Sequence, residues 1–275
     1  MKKYLTYDDV NIVPKYSEVL SREDIDLSTR FTKNTTMSVP IVASPMDTVT
    51  EYKMASEMLD QGGVGVIHRF QSIEKQTEQM KRVWRQWDSW YNIGDKDEDR
   101  TDHHRVYEDW YRGVMSWNHP PTKSDFEDLE ELLWFADEAK KDEEYWSKRP
   151  LCAAIGVKGD YLERAKELVL NGCNVLLIDV AHGHHKNVGE AIEKIKSRIS
   201  NIEVVAGNIA TRDGAEFLCE KGVDGIRVGI GNGSLCETRI RTGVGLPQVT
   251  ALIDVCSVAD DWDIPVIADG GIRNV

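Results

Sequence analysis

Seven short apolar runs punctuate this chain, and each closes on a glycine or a polar residue before an amphipathic stretch begins: 40–44, 64–68, 152–156, 175–179, 204–208, 225–229 and 265–269. Runs of this length, rich in Val, Ile and Ala and flanked by Gly or Pro, read as strands buried on both faces rather than as helices. Between them Val188, Ile192, Ile195 and Ile199 recur at helical spacing. So do Leu162, Ala165 and Val169, and that helix stops at Asn171-Gly172, with the glycine expected just past a helix end. Strands alternating with helices make a parallel sheet, and 275 residues suit one large barrel. The predicted fold is an α/β, (β/α)8 TIM-type barrel, incomplete, with about seven strands present.

The repeat is interrupted once. Residues 84–150 carry seven of the eight tryptophans together with acidic runs such as 95–99 and 127–131. Asn171-Gly172 and Lys221-Gly222, each just before a strand, lie 50 residues apart, about two strand–helix units. Gln61-Gly62 fits the same spacing once residues 84–150 are set aside. The organisation expected is therefore barrel over 1–83, a helical acidic and aromatic insertion over 84–150, and barrel again over 151–275, ending after the seventh strand. Within the insertion Leu129, Leu132, Leu133 and Ala136 suggest an amphipathic helix, its tryptophans pack internally or on the barrel, and Asp102, His103 and His104 are expected to be solvated.

Composition excludes several classes of function. A net charge of -13 argues against a nucleic-acid partner, since phosphate backbones are bound by basic surfaces. A single phosphate remains possible, held by backbone N–H groups in a small pocket. The five cysteines are scattered and never form a CxxC pair, which argues against disulfides and zinc. No stretch approaches the roughly 20 apolar residues of a membrane span, and no signal-peptide core follows Met1, so a cytoplasmic location without membrane attachment is expected.

Polar residues cluster where the predicted strands end: Ser44, His68, Asp179, Asn208, Gly229 and Asp269. In a parallel barrel those ends form one rim, where catalytic groups collect. After the sixth run, residues 228–239 are too rich in glycine for a helix and read as a loop. Gly231 and Gly233 allow close backbone approach to a ligand, and the loop delivers Cys236 to the rim beside the hydroxyls of Ser234 and Thr238.

The sequence GIGNGSLCETRIRTGVGLPQ over 229–248 resembles the active-site loop of the IMP dehydrogenase/GMP reductase family. Further segments resemble the family in its order: LTYDDV at 5–10, ASPMDTVTE at 43–51, GGVGVIHR at 62–69, DVAHGH at 179–184, AGN at 206–208 and ADGGI at 268–272. The resemblance covers residues 4–83 and 151–275. It implies that the Cys236 thiolate attacks C2 of a purine mononucleotide, IMP or GMP, with Thr238 beside the reacting centre. It implies Ser234, Gly270 and Gly271 at the 5′-phosphate and Asp269 on the ribose hydroxyls. Ser44 and Met46 would line the nucleotide pocket, with Asn208 near the reacting base. Asp179, Val180, Gly229 and Gly231 would face the cofactor, NAD or NADP. A potassium ion held by the carbonyls of Gly231, Gly233 and Cys236 is implied, as is a homotetramer.

Competing structural roles stand beside these. Asp179 and Asp269 fit helix caps, Asn208 a turn, Arg227 an ion pair at the rim, and His182, His184 and His185 a surface loop. Two residues depart from the family pattern: Asn232 replaces a usual proline, and Glu237 a usual threonine. A carboxylate close to the nucleophile would raise its pKa. The eighth strand and the family's catalytic flap have no counterpart in these 275 residues. Completion by a complementary polypeptide is therefore expected. IMP dehydrogenase is the preferred activity, with GMP reductase and a non-catalytic nucleotide-binding fragment as alternatives.

Overall fold

The computed structural model describes residues 3–92, 150–234 and 236–272. Strands β1 (Thr29–Arg30) and β2 (Thr36–Met37) form a small antiparallel pair. The strands that follow are β3 (Val42–Ala43), β4 (Val64–Ile67), β5 (Cys152–Ile155), β6 (Val175–Asp179), β7 (Glu203–Ile209), β8 (Gly225–Val228) and β9 (Val266–Ala268). Among the described residues these seven make one sheet in chain order, each parallel to its neighbours. All seven predicted strands are present, with ends that differ by a residue or two. Helices α1 (Tyr52–Asp60), α2 (Ile73–Asn92), α3 (Tyr161–Leu170), α4 (Lys186–Arg198) and α5 (Arg212–Glu220) link them, followed by the short α6 (Thr238–Thr242) and α7 (Gln248–Ala259). The glycine stop of α3 is as expected, with Gly172 at φ 94° directly after the cap residue Asn171.

Successive side chains sort to opposite faces of the sheet. Ile67, Ala153, Ile155, Leu176, Ile178, Val204, Ala206, Ile226 and Val228 pack into the layer shared with the helices. Val64, Val66, Cys152, Ala154, Val175, Leu177 and Val205 form a second, inner cluster. Val42 of the first strand and Ile267 of the last both pack on that inner cluster, so the sheet is curled about it. The two strands also share a cavity of about 290 Å³, lined among others by Val42, Ser44, Leu177, Arg227, Ile267 and Asp269. This is the geometry of an incomplete barrel.

The pair β1–β2 plugs the end of the barrel at which the strands begin, an element the sequence pattern did not announce. Phe31, fully buried, enters the inner cluster. Glu203, the first residue of β7, accepts hydrogen bonds from Thr32 Oγ1 at 2.6 Å, from Asn34 N at 3.0 Å and from the Thr35 hydroxyl. Arg30 forks onto Asp263, ahead of β9, at 2.6 and 3.0 Å. With the floor tied at β7 and ahead of β9, the opposite end is left as the open rim.

Helix α2 continues past Val83 to Asn92, and the described chain resumes at Pro150. The expected amphipathic helix, tryptophan packing and solvated histidines of the insertion lie outside the described residues. No helix among the described residues is long and apolar enough to cross a membrane.

Helix α1 lies directly on β4. A Cβ at Gly65 would come within 2.4 Å of the Ala55 Cα, so the helix axis can approach only where the strand carries no side chain. Gly65→Val is expected to destabilise the fold by about 1–3 kcal/mol or more through overpacking. A lowered urea midpoint checks this, and an unchanged one would show that α1 is not seated on Gly65.

Candidate active site

The polar strand ends meet at one rim, and a buried guanidinium joins them. Arg227 points inward from β8, between two residues that pack on the helix layer, and its side chain is 11 % exposed. Nη1 donates to Asp179 Oδ1 at 2.9 Å, and Nη2 lies 3.1 Å from Asp269 Oδ2 and 3.5 Å from Ser44 Oγ. The rim ion pair is thus present, but it is made with two of the proposed site residues. A charge this deep is tolerated because it is paired. One side chain ties the ends of β3, β6, β8 and β9.

Asn208 adds the fifth strand. The register of β7 against β8 shifts between Gly207 and Ile209, a bulge that releases Asn208 from the alternation of its neighbours. Its Nδ2 donates to Gly229 O at 2.7 Å and to Asp269 Oδ2 at 2.6 Å. Its Oδ1 is buried and has no hydrogen-bond partner. Such an orphaned acceptor is costly without a ligand donor. Asn208 therefore belongs to a strand rather than a turn. Nor does Asp179 cap the helix that follows it: the residue capping α4 is His185, whose Nδ1 accepts from Asn187 N at 3.1 Å.

Close backbone contacts at two glycines seat the loop after β8. A Cβ at Gly229 (φ 145°) would fall 2.1 Å from Asp269 O, and one at Gly270 (φ 81°) would fall 2.8 Å from Gly233 N. The Asp269–Gly271 turn is thereby packed against the loop carrying Ser234 and Cys236. Buried Gln248, which the sequence pattern did not single out, donates from Nε2 to Val228 O at 2.8 Å and to Asp269 O at 3.3 Å. Its Oε1 accepts from Asn232 Nδ2 at 2.7 Å, and Asn232 also donates to Leu246 O at 2.8 Å.

Cys236 is half-buried in this loop, and its N–H donates to Gly233 O at 3.1 Å. Hydrogen bonding from the Thr238 side chain, then from the Thr238 and Gly231 backbone, holds its thiol below the ordinary range against partial burial and the nearby Asp269 charge. The other thiols are shifted the opposite way by burial: Cys173 to about 12, Cys219 to about 11, with Cys152 and Cys256 also raised. The loop thus carries the one thiol among the described residues tuned toward the thiolate, the form that acts as a nucleophile.

Met46 follows Ser44 and donates its N–H to Ser44 O at 2.8 Å. Val180 follows Asp179 and accepts from Asn208 N at 3.1 Å. Ser234 is exposed beside Gly233, which Gly270 touches. The proposed site residues therefore come from five strand ends of one face.

A family model described as "IMP dehydrogenase / GMP reductase domain" matches residues 4–275. The chain belongs to the IMP dehydrogenase/GMP reductase family. It is 35 % identical to an inosine-5′-monophosphate dehydrogenase of Nitrosopumilus maritimus, over 99 % of this chain and 70 % of that protein. It is 40 % identical to the Cryptosporidium parvum protein of the same name, over 98 % and 62 %. For that of Borreliella burgdorferi the values are 38 %, 99 % and 64 %. The chain thus spans between 62 % and 70 % of the length of these relatives.

Both departures from the family pattern have local explanations. Asn232 fixes the loop by hydrogen bonds to Leu246 and Gln248, a tie that a proline could not make. Glu237 does not load the nucleophile with charge as expected. It stands at the start of α6, pairs with the Arg241 side chain one turn on, and is absent from the groups that shift Cys236. His182, His184 and His185 are exposed, as expected of a surface loop.

Alkylation by iodoacetamide at pH 8 should label Cys236 first among the five thiols. Because the thiol pKa is lowered, the labelling rate should reach half its maximum below the pH of an ordinary cysteine, and Thr238→Val should move that midpoint upward. Peptide mass spectrometry across a pH series measures both. Faster labelling of Cys256, or an unmoved midpoint in the variant, would contradict the assignment.

Proposed function

We propose that the chain is the nucleotide-binding, nucleophile-bearing part of a cytoplasmic, NAD-dependent IMP dehydrogenase, converting IMP, NAD and water to XMP and NADH. The observation that carries this reading is the pairing of a thiol lowered by the Thr238 hydroxyl with a carboxylate, Asp269, that Asn208 and Arg227 hold on the same rim. Asp269 would accept the ribose hydroxyls, a diol suited to an acceptor-only group. Ser234 and the amides of Gly270 and Gly271 would hold the phosphate, and Ser44 and Met46 would wall the pocket.

Cys236 would then add to C2 of the base. NAD, held on the side of Asp179, Val180, Gly229 and Gly231, would supply the acceptor for the hydride that C2 gives up. The resulting thioimidate on Cys236 is cleaved by water, which restores the thiol and releases XMP. The buried Asn208 Oδ1 would take a donor at the reacting centre in place of its missing partner. The carbonyls of Gly231, Gly233 and Cys236 would hold a potassium ion, which would fix the loop.

The relatives named above support the dehydrogenase over GMP reductase. The pairing of Glu237 with Arg241 weakens one of the reasons for a decayed, non-catalytic site, the other being the flap without a counterpart here. We further propose a tetramer and a complementary strand–helix unit at the open edge between β3 and β9. Its support is the cavity that β3 and β9 share and the exposed apolar side chains of the N-terminal segment, where Ile12 and Leu20 are each 97 % exposed.

A purine ribonucleotide halogenated at C2, the carbon the thiol faces, should label Cys236 with loss of the halide, excess IMP should protect it, and Asp269→Ala should slow the reaction about tenfold or more, the loss of hydrogen bonds to a charged group. Intact-mass kinetics test this. Labelling that IMP does not affect would refute the nucleotide site.

A further inference from the structure

Arg69 stands on the rim outside the nucleotide pocket. It follows β4, and its Nε donates to the Asp179 carbonyl at 3.2 Å, with Asp179 Oδ2 at 3.7 Å. Its Cζ lies 4.8 Å from the centroid of the Phe70 ring, which is 59 % exposed. On another side is Gly156, just past β5, where even an added Cβ would reach no nearer than 3.7 Å to Nη1. Among the described residues neither Nη nitrogen donates a hydrogen bond, and the side chain is 32 % exposed. The guanidinium is therefore fixed by a ring and a carbonyl while its outer fork remains unspent.

Asp179 is flanked by two arginines with different outlooks. Arg227 holds Oδ1 and continues to Asp269, the side assigned to the nucleotide. Arg69 lies toward Oδ2 and leads away to the ends of β4 and β5. A preorganised planar fork beside a carboxylate assigned to the cofactor side suits a phosphate, which it can take through two parallel hydrogen bonds. Stacking on Phe70 lowers the cost of ordering the side chain. In a chain with a net charge of -13, a dianionic ligand needs such a local cation.

We propose that Arg69 anchors the cofactor through its pyrophosphate, both Nη nitrogens donating to phosphate oxygens while Asp179 takes the adjoining ribose. This rests on the dehydrogenase reading and names the anion site on its cofactor side. The alternative is that Arg69 only holds Asp179 in place, and a double-mutant cycle separates the two.

The test is calorimetric titration of the full chain with ADP-ribose, which carries the pyrophosphate without the nicotinamide. Arg69→Gln is expected to weaken binding about tenfold, the loss of one charge-assisted contact, both in the unaltered background and in Asp179→Asn. Arg69→Lys should recover part of that loss, and Cys236 alkylation by the halogenated nucleotide should stay within twofold, showing an intact fold. An effect that vanishes in Asp179→Asn, no effect at all, or no ADP-ribose binding by the unaltered chain would each overturn the proposal. Failure of the alkylation itself would instead strike the nucleotide reading, and the two failures are distinguishable because the probes differ.

Discussion

The rim depends on one buried cation. Arg227 is surrounded by the inner face of the sheet, where an isolated guanidinium would be intolerable, and it is stable there because Asp179 and Asp269 meet it from neighbouring strand ends. The dependence runs both ways. Two carboxylates held on one rim repel each other unless a cation stands between them. Removing the guanidinium would leave two partly buried charges without compensation, a change that typically costs about 3–5 kcal/mol when a buried pair is broken. Fold and site are therefore set by the same interaction.

From that point the chemistry follows in short steps. Asp269 held by Arg227 also takes the Asn208 amide, and the turn after it packs against the loop after β8 through contacts that only glycine permits at Gly229 and Gly270. The loop so placed brings the Cys236 thiol near the Asp269 charge, which works against ionisation, and Thr238 more than offsets that effect. Gln248 and Asn232 brace the loop from behind. The floor of the barrel, tied by Glu203 and by Arg30 with Asp263, leaves the opposite end as the accessible face.

Much of this was legible in the sequence for physical reasons. Strands buried on both faces must be unbroken apolar runs, so all seven were visible, and their polar last residues located the rim. The β1–β2 pair was not visible, because two-residue strands have no periodicity and theirs are held by partners such as Glu203, more than 160 residues away. Arg227 was seen as an ion pair without its partners, since those lie 48 and 42 positions along the chain. Arg69 and Gln248 escaped for the same reason. Glu237 could have been read correctly: Arg241 follows it at the spacing of one helical turn, and that local pair was the signal that its charge is spent elsewhere.

The central claim is that Cys236 and Asp269 grip the two ends of one nucleoside. A crystal structure of the chain with bound IMP tests it most directly. The account expects the ribose hydroxyls on the Asp269 carboxylate and C2 of the base facing the Cys236 Sγ across the rim. A nucleotide seated elsewhere, for example in the groove of His184, Phe217 and Lys221 between α4 and α5, with the rim left to solvent, would contradict it.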